Sequence, residues 1–90
     1  MIARKFFIRG QVQGVGYRYF AQRAAARHQI RGYVKNLADG RVEAFAQGAE
    51  RSVEAFRNDL IAGPSYSSVE DIEEIVFDPD KIYSNFRIEE

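Results

Sequence analysis

The sequence predicts an α+β fold: a ferredoxin-like βαββαβ sandwich, with two helices on one face of a mostly antiparallel sheet and a short extra C-terminal strand. Three observations predict it. The periodicity of apolar residues runs strand, helix, strand, strand, helix, strand, then a brief final alternation. Asp39-Gly40 is a hairpin turn signal between the second and third strand segments. Both helical segments carry an apolar stripe on one side only, which a sheet face would cover. Ninety residues suit a single domain spanning 1–90, which buries only about 60–65% of its unfolded surface.

Residues 2–13 read as the first strand, with Phe6, Ile8, Gly10 and Val12 on one face and Lys5, Phe7, Arg9 and Gln11 on the other. Gln13-Gly14-Val15-Gly16 is a turn signal. A helix follows over 17–28, where Phe20, Ala21, Ala24 and Ala25 form a narrow stripe suited to close packing on a sheet. Gly32 lies beyond its stop. Residues 30–36 form the second strand and 41–47 the returning third, with Val42, Ala44 and Ala46 on one face and Glu43 and Phe45 on the other. The second helix covers 50–61 through Val53, Phe56, Leu60 and Ile61, and Gly63-Pro64 stops it. Residues 65–68 are a loop, 69–77 a fourth strand, and Asp78-Pro79-Asp80 a turn. Phe86 and Ile88 alternate with charges in a last strand at a sheet edge.

An apolar share of 46% supports an ordinary core, and the absence of cysteine excludes disulfides, zinc-thiolate sites and thiol catalysis. The N-terminal run 2–9 is broken by Arg4, Lys5 and Arg9, so it is neither a signal h-region nor a membrane span. A soluble, cytoplasmic protein is expected. Net charge is zero, yet residues 1–50 carry +6 and residues 51–90 carry −6. Most of these charges are expected to pair between the halves, leaving one or two for an anionic ligand.

The segment Gly10-Gln11-Val12-Gln13-Gly14-Val15-Gly16-Tyr17-Arg18 sits at the first strand-to-helix junction. Glycines permit positive φ and let N–H groups converge, and a helix N-terminus adds free donors and partial positive charge. The result is either a plain tight turn or an anion site. Arg18 in the first helical turn opposes the helix dipole, a conflict that a bound phosphate would resolve through charge-assisted bonds. No Gly-Lys-Ser/Thr ending follows, so this is not a Walker loop, and the element order excludes a dinucleotide fingerprint.

The stretch 10–18 resembles the first signature of the acylphosphatase family, and 32–48 resembles the second, with Gly32, Asn36, Gly40, Val42 and Gly48 at the family's spacing. The helix ending at Gly63-Pro64 and the closing Phe86-Arg87-Ile88 also match, so the resemblance spans nearly the whole chain. It departs at the tail, where many members carry a basic-aromatic pair and this chain has Glu89-Glu90. The resemblance implies a ferredoxin-like fold and hydrolysis of acyl phosphates without metal or cofactor. It implies that Arg18 binds phosphate, that Asn36 positions the water, and that the backbone amides of Gln13, Gly14, Val15, Gly16, Tyr17 and Arg18 form the phosphate cradle.

Such chemistry needs few groups. The leaving carboxylate has a pKa of about 4 and departs without a general acid. Phosphoryl transfer is mainly positioning and electrostatic stabilisation, which arginine, backbone donors and one amide can provide. The expected partners are a small acyl phosphate and inorganic phosphate as product and inhibitor, with no nucleic acid or membrane, for a monomer. His28 reads as a surface residue at a helix end, the Glu70, Asp71, Glu73, Glu74 run as a solvated strand face, and Ser65, Ser67 and Ser68 as loop residues without triad partners. Tyr17 and Tyr33 suit either the rim of the ligand loop or the core. Two rivals share the fold: a non-catalytic phosphate or acyl-phosphate sensor, and an RNA-binding module, although the third strand lacks that module's Lys/Arg-Gly-Phe-Gly-Phe pattern.

Overall fold

Seven elements follow in the predicted order: β1 (Ile2–Gln11), α1 (Tyr17–Arg27), β2 (Arg31–Asn36), β3 (Val42–Gly48), α2 (Glu50–Ala62), β4 (Ser68–Phe77) and β5 (Phe86–Glu89). The computed structural model describes residues 1–90. The strands form one sheet in the order β4-β1-β3-β2-β5, so β5 is an edge strand as expected. All neighbours are antiparallel except β2 and β5, which run parallel.

Element ends differ from the sequence reading by one or two residues, for local reasons. The ladder between β1 and β3 stops at the pair Ile8 and Val42, and the ladder to β4 stops at Gln11. Val12 and Gln13 therefore have no strand to pair with. Helix α1 closes at Arg27 in a Schellman turn, in which Ile30 N–H bonds to Ala25 O at 2.8 Å and Gln29 takes a left-handed φ of 58°. Ser68 joins β4 because it pairs with Gln11.

The helices cover one face of the sheet. Phe6, Ile8, Val34, Val42, Ala44 and Ala46 meet Ala21, Ala24, Ala25, Val53, Phe56 and Leu60 in one buried cluster. The alanine stripe lets α1 lie close to the sheet. Each large side chain here, such as Phe56, contributes about 2–3 kcal/mol by leaving water.

The opposite face is covered as well, which the sequence did not reveal. Glu43 is 8% exposed, Phe45 9% and Gln47 1%. The cause is topological. Strands β4 and β5 lie at opposite edges, so residues 78–85 must cross the sheet, and the helices already occupy one side. Tyr83, carried on that crossover, packs on Tyr33 and Phe45, and Phe77 meets Phe45 edge-on. Gln47 binds the crossover at two points: its Nε2 donates to Lys81 O, and its Oε1 accepts from Tyr83 N–H at 3.0 Å.

The two charged halves pair only in part: three of the nine Lys/Arg of residues 1–50 reach carboxylates of the second half, while Lys5 and Arg41 pair within their own half. Arg4 reaches Glu74 at 3.3 Å, Arg9 reaches Asp71 at 3.2 Å and Arg27 reaches Asp59 at 2.8 Å. These are surface pairs, worth at most about 1 kcal/mol each. The acidic run lies exposed on the edge strand β4.

Candidate active site

The loop from β1 to α1 is anchored at one end by buried Val12 and at the other by buried Tyr17, whose hydroxyl donates to Leu60 O at 2.6 Å. Between them Gly14 and Gly16 take φ of 75° and 78°. Gly16 is the residue preceding α1, and the left-handed angle there would strain any β-carbon. No side chain caps α1, and no acidic residue stands in its first turn. The first closing bond runs from Phe20 N–H to Gly16 O at 3.0 Å. The N–H groups of Gln13, Gly14, Val15 and Gly16 find no acceptor within the chain. A string of free donors at a helix N-terminus is an electropositive cradle.

Arg18 stands in that first turn. Its Nη1 donates to the backbone carbonyl of Glu89 at 3.0 Å, and it has no carboxylate partner. Asn36 is the last residue of β2 and pairs with Val42 of β3. Both residues line one pocket of about 460 Å³, together with Gly14, Gly16, Ile88 and Glu90. Two residues eighteen apart in sequence thus share one pocket, where α1 begins and β2 ends. A recess of about 730 Å³ lies at the C-terminal end of α1, lined by Ala25, Gln29, Arg31 and Gly48. It is larger but holds none of the sequence-predicted site residues, so the chemistry of the lining favours the smaller pocket.

The remaining candidates sort as follows. Gln13 turns its side chain away from the cradle: Nε2 donates to Leu37 O at 2.8 Å and to Arg41 O at 2.9 Å, both in the β2–β3 hairpin. Tyr17 is core, and burial raises its phenol pKa above the usual value. Tyr33 lies on the sheet face away from the helices, bonded to Glu43, with its phenol also raised, first by burial and then by that carboxylate. It does not flank the loop. His28 is more than a surface residue: its Nε2 sits 2.9 Å from Asp59 Oδ2, tying the end of α1 to α2. Ser67 only closes the turn after α2, bonding to Pro64 O at 2.8 Å. In the hairpin beyond Asn36, Asp39 is held below the usual carboxylate pKa, chiefly by the Arg41 N–H and then by the Arg41 guanidinium.

Two participants escaped the sequence reading. The Glu89 carbonyl that holds Arg18 is backbone, and no residue type announces it. The Gln13 side chain lies inside a motif whose resemblance points only to its backbone amides.

The acylphosphatase family model matches residues 4–88. An acylphosphatase of Actinobacillus succinogenes is 45% identical over 89 residues, covering 99% of each chain. The crystal structure of acylphosphatase from Bacillus subtilis superposes with a TM-score of 0.97 at 36% identity, covering 100% of both chains. That of an acylphosphatase from Coxiella burnetii gives 0.92 at 31% identity, covering 98% of this chain and 92% of the other. Fold, full-length sequence likeness and family match agree, and the chain belongs to the acylphosphatase family, hydrolases that act on acid anhydrides.

Proposed function

We propose that this chain cleaves the carboxyl–phosphate bond of small acyl phosphates by direct attack of water, without metal or cofactor, with Arg18 gripping the phosphoryl group and Asn36 orienting the water. The observation that carries the reading is the convergence of Arg18, Asn36 and a run of acceptor-free N–H groups on one pocket. The phosphoryl oxygens sit among the amides of residues 13–18 and the Arg18 guanidinium. These donors are fixed before substrate arrives, so they stabilise developing charge without reorganising. The Glu89 carbonyl holds the guanidinium at the pocket wall. The Asn36 amide offers an acceptor and a donor to one water.

The oxygen of that water forms a bond to phosphorus as the phosphorus–carboxylate bond breaks. The electron pair of the broken bond leaves with the carboxylate, whose pKa of about 4 makes a proton donor unnecessary. A neutral amide is no strong base, so a phosphoryl oxygen takes the water's proton. The products are a carboxylate and inorganic phosphate, and phosphate should compete with substrate for the same donors. The reading includes a monomer acting in the cytoplasm. No helix is long and apolar enough to cross a membrane.

Arg18→Ala should lower kcat/KM on acetyl or benzoyl phosphate by about a hundredfold or more and weaken inhibition by phosphate. Asn36→Ala should lower kcat by about tenfold to a hundredfold with a smaller effect on phosphate inhibition. Parent-level hydrolysis by the Arg18 variant would overturn the assignment. Intact turnover with lost phosphate binding in the Asn36 variant would reverse the two roles.

A further inference from the structure

We infer that Gln13 is a positioning residue that sets Asn36 against the phosphate cradle. This inference rests on the role given to Asn36 above. The cradle and Asn36 belong to different parts of the chain, and both must hold register for a water to stand in line with the scissile bond. The pairing of β2 with β3 holds Asn36 opposite Val42, but it does not tie Asn36 to the loop. β1 pairs with β3 only as far as Ile8, and beyond it β1 pairs only with β4 on its other side, so no ladder joins the loop to the β2–β3 hairpin. The Gln13 side chain spans that gap.

Its Nε2 donates to Leu37 O at 2.8 Å and to Arg41 O at 2.9 Å. Both acceptors are carbonyl oxygens, so the amide must present its NH₂ group, with one hydrogen for each. Leu37 directly follows Asn36. Leu37 N–H also bonds to Arg41 O at 2.8 Å, and Gly40 N–H bonds to Leu37 O at 3.2 Å. The glutamine amide therefore closes the base of the hairpin in which Asn36 is the last strand residue. The same residue begins the cradle, where its backbone N–H lacks an acceptor in the chain. One residue thus serves the cradle through its backbone and the water-holding strand end through its side chain. A phosphate that orders residues 13–18 would order the hairpin with them. Misplacing a reacting group by about 1 Å can cost about a hundredfold in rate, so a two-bond tether at this point bears on turnover.

The test is a double-mutant cycle on the full chain with acetyl or benzoyl phosphate as substrate and inorganic phosphate as inhibitor. Folding is checked by circular dichroism. Gln13→Ala should lower kcat about tenfold or more while the phosphate inhibition constant moves less than about threefold. In an Asn36→Ala background the same change should cost less than about twofold, because the group it positions is gone. Gln13→Glu is close in size and fills the same space, so it serves where the alanine variant folds poorly. At neutral pH it offers carboxylate oxygens to two carbonyls. Its kcat relative to parent should rise as pH falls and the protonated acid regains one O–H donor. Equal losses of kcat and phosphate affinity, additive losses with Asn36→Ala, or a relative rate of Gln13→Glu that does not change with pH would overturn the inference. An Asn36→Ala variant with parent turnover would instead remove the reading beneath it.

Discussion

Gln47 shows how a single amide can stand in for a missing strand. It is 1% exposed, and its two ends meet Lys81 O and Tyr83 N–H, peptide groups of a crossover with no ladder of its own there. Gln47→Leu keeps the bulk and removes both bonds, leaving two peptide groups without partners. We expect a loss of about 2–4 kcal/mol, read as a lower urea midpoint. Turnover under folding conditions should remain near parent, since Gln47 pairs with Arg31 at the far end of β2 from Asn36. The sequence shows residues 43, 45 and 47 on one face of a strand. It does not show what covers that face, because alternation reports only which residues share a side. The same limit explains Tyr33, whose place depends on the crossover. Arg18 was legible, since a cation in a first helical turn contradicts the helix dipole. Asn36 has no such contradiction around it, and only its place in a family signature marked it.

At the scale of elements, the glycine inside β2 is decisive. Gly32 has φ of 143°, and a β-carbon there would overlap the Phe45 carbonyl of the neighbouring strand. That carbonyl is backbone and cannot yield without disturbing the β2–β3 ladder. Gly32→Ala should cost about 3 kcal/mol or more by chemical denaturation. It should also lower turnover, because β2 carries Asn36. In the sequence Gly32 stands past a helix stop and inside the second strand, but the carbonyl it lies against is set by strand pairing. The helices were legible because Val53, Phe56 and Leu60 and the alanines of α1 repeat at helical spacing. The Schellman turn at Gln29 was not, since a left-handed glutamine carries no compositional signal.

For the whole molecule, the order of elements and the Asp39-Gly40 hairpin were enough for the fold class. The order of strands across the sheet was not, because the separate partners of β4 and β5 are fixed by long-range contacts. Burial on both faces of the sheet has a consequence for alkaline stability. Tyr17 and Tyr33 both have pKa values raised above the ordinary 10.0. The fold therefore favours their protonated forms. Their contribution is fully present below pH 10 and is lost as pH climbs toward their folded values. Stability should fall steeply above that pH, with phenolate absorbance from these two residues appearing together with unfolding. Tyr17→Phe with Tyr33→Phe should flatten that slope, even though each variant also forfeits a hydrogen bond at neutral pH.

The bond from Arg18 to the Glu89 carbonyl joins residues 71 apart in the chain. Closing a loop of that length is entropically costly before its other contacts are in place. The residues of the cradle and the hairpin, 13–41, leave a ribosome well before Glu89. The tether for the arginine arrives only with residue 89. On the role proposed for Arg18, the onset of hydrolysis in a refolding or newly made chain should track the docking of β5 rather than the formation of the glycine loop.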